Sequence, residues 1–267
     1  ASAAWLAVAT LAEGSLRDAD GAESALREAL LASGNDNAIR EQLRAFFERT
    51  KRHAGRAELL AEDAERATDK TAKVALFKQV ADLYAQQLSD PGRAADALER
   101  AVSLDPEDRT ALLPLCDLYI AAGRQPDAIP VLEKIIASYG TRRAKEVATY
   151  HHRLGQAYEG MGKNAEALAS FDAAFKIDLT SVAILRDLGR ICYTTGDWDR
   201  AQKTFRALLL QKLDANSGIT KGDVYFYLGD ITAKQGDPKK AITMLDRALV
   251  EQPGHPAAAA LLAQLKS

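Results

Sequence analysis

The chain has 267 residues, 47% of them apolar and 27% charged, with a formal net charge of −2. That balance excludes a disordered chain, and the near-neutral charge excludes the global basic field that recruits nucleic acid or an anionic membrane surface. No apolar run approaches the ~18 residues of a membrane span, so membrane insertion is not expected.

The first segment, ASAAWLAVATLAEG, is apolar but lacks a basic flank, so it is not an intact signal peptide. With no initiator Met, the chain reads as a piece of a longer protein. Trp5, Val8, Ala9, Ala22, Leu26 and Ala29 then fall at helical spacing, as a pair of amphipathic helices across 2–36. A second, poorer pair carries Leu43, Phe47, Gly55, Ala57 and Ala64 across 37–71. A third carries Val80, Ala81, Tyr84, Ala94, Leu98 and Ala101 across 74–108, and a fourth Leu115, Tyr119, Gly123, Ala128 and Leu132 across 109–147. The fourth has Pro114 and Pro130 inside its helices and an insertion near Arg142–Glu146. A kink or change of pitch is expected there, because an internal proline removes a donor and crowds the carbonyl four residues back.

The last three units, 148–181, 182–221 and 222–255, are the clearest. Leu154-Gly155 and Leu188-Gly189 lie 34 residues apart, and Leu228-Gly229 repeats the pattern. Tyr158, Gly162, Ala167 and Phe171 match Cys192, Gly196, Ala201 and Phe205, and then Thr232, Gly236, Ala241 and Leu245. Small residues on both helices let the two approach closely, and large ones fill the space between them. Gly196-Asp197 and Gly236-Asp237 supply a C-terminal glycine followed by a capping aspartate, and Pro238 suits a first helical position. An insertion, Asn216–Lys221, predicts a longer loop or a helix extension. The tail, 256–267, reads as one more helix, too apolar for a terminal cap, which further repeats or domains of a longer chain or a partner would cover.

Helix pairs with these residue types, recurring at 34 residues where no insertion intervenes, resemble the tetratricopeptide repeat (TPR) family over nearly the whole chain. The resemblance implies an all-α fold, a right-handed superhelical α-solenoid of helix-turn-helix repeats forming one array over 1–267. It also implies a non-catalytic scaffold or adaptor whose first helices line a concave groove for a protein or peptide. In that family the second, fifth, ninth and twelfth positions of each first helix face the groove. Those positions here include His152 and Gln156, then Arg186, Arg190 and Tyr193, then Asp223, Phe226 and Asp230. Arg186 and Arg190 could grip a carboxylate, or could pair with Asp187, Asp223 or Asp230. The Lys and Asn pair that holds chaperone tails is missing. Lys78 with Asp82 is nearest, and the Asp would repel a carboxylate.

Nothing assembles a catalytic, metal or cofactor constellation. Gly160-Met161-Gly162-Lys163 lacks the glycine and hydroxyl residue of a phosphate loop. His151 and His152 are adjacent and point apart on a helix, and His151 is expected in the core. Cys116 and Cys192 read as buried apolar residues of separate repeats, without a disulfide, in a cytoplasmic setting or a periplasmic one. Trp198 is expected to pack on a neighbouring repeat. The basic run Arg49, Lys51, Arg52, His53 and Arg56 is expected in a solvated turn. Two other roles remain open: a peptide sensor hinged at the fourth repeat, and a self-assembling solenoid.

Overall fold

A computed structural model describes residues 1–106, 108–140 and 144–266. Among them every regular element is helical, with fifteen α-helices, one π-helical turn and no strand. Contacts divide the chain into two compact units, Ala1–Ala122 and Gly123–Ser267. The first holds α1 (Ser2–Leu11), α2 (Ala19–Ala32), α3 (Asn37–Thr50), α4 (His53–Arg66), α5 (Lys70–Gln86), α6 (Pro91–Leu104) and α7 (Arg109–Ala121). The second holds α8 (Gln125–Tyr139), α9 (Lys145–Gly160), α10 (Asn164–Ile177), α11 (Val182–Thr194), α12 (Trp198–Leu209), α13 (Lys221–Lys234), α14 (Pro238–Glu251) and α15 (Pro256–Lys266).

Helix starts are set by short polar side chains that accept the free amide hydrogens of the first turn. Asp18, Asp36, Asp69, Asp90, Asp108, Ser181, Asp197, Thr220 and Asp237 all cap in this way. Pro238 opens α14 as expected. Gly196 and Gly236 end their helices with φ of +80° and +86°, a left-handed conformation that a side chain resists.

In the second unit the close packing has a sharper cause than two small residues touching. A β-carbon on Gly155 would lie 2.5 Å from the Phe171 ring, and one on Gly189 would lie 2.8 Å from the Phe205 ring. On Gly229 it would lie 3.0 Å from Leu245. Each glycine of a first helix is therefore the seat for the large residue of the second helix. Phe171, Phe205 and Leu245 are fully buried beside Ala167, Ala201 and Ala241. Burial of such a side chain contributes about 1.5–3 kcal/mol, so these seats anchor the core of each pair.

The irregular places differ from one another. α7 and α8 run through Pro114 and Pro130. Of the insertion expected near Arg142–Glu146, Arg142 and Arg143 lie outside the described residues, and α9 begins at Lys145. The second insertion forms a loop, 210–220, rather than a helix extension. In the first unit a π-helical turn, Ala12–Leu16, prolongs α1 and ends at left-handed Arg17. Arg40 is buried there and donates to Asp63 at 2.6 Å and Glu62 at 3.2 Å. The arginines of the basic run are paired: Arg49 with Glu13, Arg52 with Asp20 and Glu23, and Arg56 with Glu48. Cys116 and Cys192 are buried thiols outside any disulfide. Burial pushes the Cys192 thiol up to about 11.

Candidate functional site

The predicted groove residues lie on α9, α11 and α13, and all belong to the second unit. Asp187 of α11 is 1% exposed, hydrogen-bonds three of them and lies 3.8 Å from a fourth, Arg190. It accepts from His152 Nε2 at 2.8 Å, from Gln156 Nε2 at 3.1 Å, and from Arg186 Nε and Nη2 at 2.8 and 3.0 Å. Burial alone would raise its pKa. The hydrogen bonds from His152 and Arg186, and their charge, outweigh that and hold the carboxyl well below the usual carboxylate range. His152 is 3% exposed, so it is a buried strut, while His151 is half-buried. Arg186 is likewise a positioning residue, because its remaining Nη1 donates to the Ser217 carbonyl of loop 210–220 at 3.1 Å.

That bond folds the loop against the first helices. Ser217 is buried, and Gly218 takes a φ of +64°. The left-handed φ favours glycine at this position, and a β-carbon there would lie 2.5 Å from Arg186 Nη1 and displace it. Between the loop and the helices lies a cleft of about 480 Å³. Its walls include Gln156, Arg190, Asp223 and Ile219, over Phe205 and Tyr227 rings stacked at 4.8 Å. Arg190 has a side chain 48% exposed and donates to Glu159 at 2.9 Å. Exposed pairs of this kind contribute about 0.2–1 kcal/mol, so a partner can replace this one at little cost.

Asp223 closes a capping box with Thr220 and meets His255 Nε2 at 3.2 Å. His255 Nδ1 accepts from the Ala258 amide at 3.1 Å, so His255 caps α15 with one nitrogen and reaches α13 with the other. The Phe226 ring lies tilted against that imidazole, 5.0 Å between centres, and packs with α15. Tyr193 Oη donates to Asp230 Oδ2 at 2.5 Å, and Lys234 Nζ reaches the same oxygen at 2.6 Å. Trp198 packs edge-on against Tyr193, with ring centres 5.6 Å apart. Of the eight predicted residues, Gln156, Arg186, Arg190 and Asp223 share the cleft; His152, Tyr193, Phe226 and Asp230 do not line it. Asp187 and His255 carry the arrangement. Asp187 is legible in the sequence only as one of three pairing partners, and His255 is marked only by its place before Pro256.

Among the described residues, no group of three or more His, Cys, Asp or Glu could hold a metal ion. None of the described helices is long and apolar enough to cross a membrane.

The sequence profile of the tetratricopeptide repeat matches residues 85–148, 159–218 and 222–265. The chain belongs to the tetratricopeptide repeat family, and so to a class of helical protein-interaction scaffolds. Anaphase-promoting complex subunit 7 of Arabidopsis thaliana is 28% identical over 131 residues, 49% of this chain. The chain spans only 22% of that protein's length. Among solved structures, YrrB, described as a TPR protein with an unusual peptide-binding site, superposes with a TM-score of 0.56 at 21% identity. That match covers 77% of this chain and 98% of YrrB. BtubC from P. vanneervenii superposes with a TM-score of 0.57 at 24% identity, over 76% of this chain and 91% of its own.

Proposed function

We propose that the chain is a non-catalytic scaffold that holds a peptide or protein segment along α9, α11 and α13, at the cleft beneath loop 210–220. The observation that carries this reading is the division of labour among its charges. Asp187 and Arg186 hold the helices and the loop together, Gln156 and Asp223 each carry a structural bond on the cleft wall, and Arg190, 48% exposed, is the charge most open to a segment in a cleft wide enough for side chains. The lining carries both signs, so it suits a segment with both acidic and basic or amide groups, which gives orientation as well as affinity. The related subunit of a multi-protein complex supports a role in assembly.

Arg190→Glu tests this reading better than any change at Arg186, because Arg186 supports the fold. Partners captured by the wild-type chain should be lost or weakened at least tenfold with Arg190→Glu, at unchanged helix content. Equal capture by both forms would refute the groove. A second reading, a sensor that changes pitch when a peptide binds, is favoured by one fact: the boundary between the compact units falls between α7 and α8, inside the proline-bearing repeat. Identical small-angle scattering with and without the captured peptide would dispose of it.

A further inference from the structure

Lys234 ends α13 with its ammonium over two aromatic faces. Nζ lies 4.7 Å from the Tyr193 ring centre and 5.0 Å from that of Trp198. It donates to Tyr193 Oη at 3.1 Å and to Asp230 Oδ2 at 2.6 Å. A cation facing ring quadrupoles beside a carboxylate is the general arrangement by which proteins hold ammonium groups. Tyr193 and Trp198 have contacts besides Lys234. Tyr193 is fixed by an edge contact with Tyr227 at 4.9 Å and by its bond to Asp230. Trp198 opens α12 and packs on Tyr193 at 68°.

The occupant is exposed, whereas its walls are half-buried. Lys234 is a flexible side chain, 43% exposed, and its carboxylate partner is its own neighbour one turn back. Both bonds to Asp230 converge on one oxygen, Oδ2. That suits a compact ammonium rather than the parallel pair of acceptors that a guanidinium fork uses.

We propose that Tyr193, Trp198 and Asp230 form an ammonium subsite, filled by Lys234 in the isolated chain, which a lysine side chain of a bound partner takes by displacing Lys234. Two of its walls, Tyr193 and Asp230, lie on the helices α11 and α13 to which the groove reading assigns the partner, with Trp198 at the start of α12, and the subsite rests on that reading. It adds the chemistry of one anchor. Lys234 acts as a tethered competitor, so a partner's lysine enters only when the rest of its segment is already bound.

The test uses n-butylammonium chloride as a lysine side-chain probe, and 1-butanol as its neutral counterpart. Titrations of wild type and Lys234→Ala at constant ionic strength are read from the indole N–H resonance of Trp198, with Trp5 in the first unit as internal control. The expected result is a saturable shift of Trp198 alone, with a Kd at least tenfold lower in Lys234→Ala than in wild type. No shift is expected with 1-butanol, and none when Asp230→Asn is added. Lys234→Ser serves as a second emptied variant should the first fold poorly.

A folded Lys234→Ala that shows no saturable shift would overturn the subsite, as would an equal response to 1-butanol. Saturation of wild type as readily as of Lys234→Ala would overturn the role of Lys234 as occupant and competitor. The probe reads the cage alone. If butylammonium binds while Arg190→Glu leaves partner capture intact, the groove fails and the cage stands.

Discussion

Replacing Asp187 by Asn should destabilise the second unit more than any other single polar change in it. Asn keeps the shape but removes the charge that four hydrogen bonds share, from His152, Gln156 and twice from Arg186. An opposite charge about 4 Å away at an effective dielectric near 20 is worth roughly 4 kcal/mol. Breaking a buried ion pair from one side costs about 3–5 kcal/mol. Arg186 keeps a side chain 26% exposed and can turn partly to water, which lowers the figure. A loss of about 2–4 kcal/mol is therefore expected near pH 7. Urea unfolding followed by circular dichroism measures it, and amide exchange on α9 and α11 localises it.

Acid supplies an internal check. The folded carboxyl sits below its ordinary pKa of about 3.9, so protons bind the unfolded chain more readily. The stabilisation is complete above that value and declines as pH falls through it. The gap between wild type and Asp187→Asn should therefore close as pH drops below about 4. A variant within about 0.5 kcal/mol of wild type at pH 7 would refute the claim that Asp187 organises the helices, since changes of that size are ordinary surface effects.

Three further outcomes follow from the packing. Gly155→Ala should cost about 1–3 kcal/mol in thermal or urea unfolding, because the new methyl meets the Phe171 ring, whereas Gly14→Ala enters open space and should be near neutral. His255→Ala should cost about 1 kcal/mol and raise amide exchange selectively in α15, by removing its cap and the contact with Asp223. Cys192 should resist an aromatic disulfide reagent at pH 8 in the native state and react on unfolding, because burial suppresses the thiolate.

The repeat architecture was legible because it depends on residue size at a fixed period. Gly155, Gly189 and Gly229 mark the seats, and the glycine and aspartate of the turns mark the helix ends. The site was legible only as a set of positions. Which side chains pair depends on how one repeat is offset against the next, and nothing local encodes that. Asp187 meets His152 across 35 positions, and Tyr193 meets Asp230 across 37. The docking of loop 210–220 by one carbonyl bond, and the π-helical turn at Ala12–Leu16, leave no periodic trace either. Lys234 carries no signal of its own in the sequence, because its aromatic partners come from two other helices.

The central claim is that the partner lies along the first helices of the second unit. Hydrogen exchange on the wild-type chain, with and without a captured partner, tests it most directly. The account predicts added protection on the exposed ends of α9, α11 and α13 and in loop 210–220, abolished by Arg190→Glu. Protection confined to α10, α12 and α14 would contradict it.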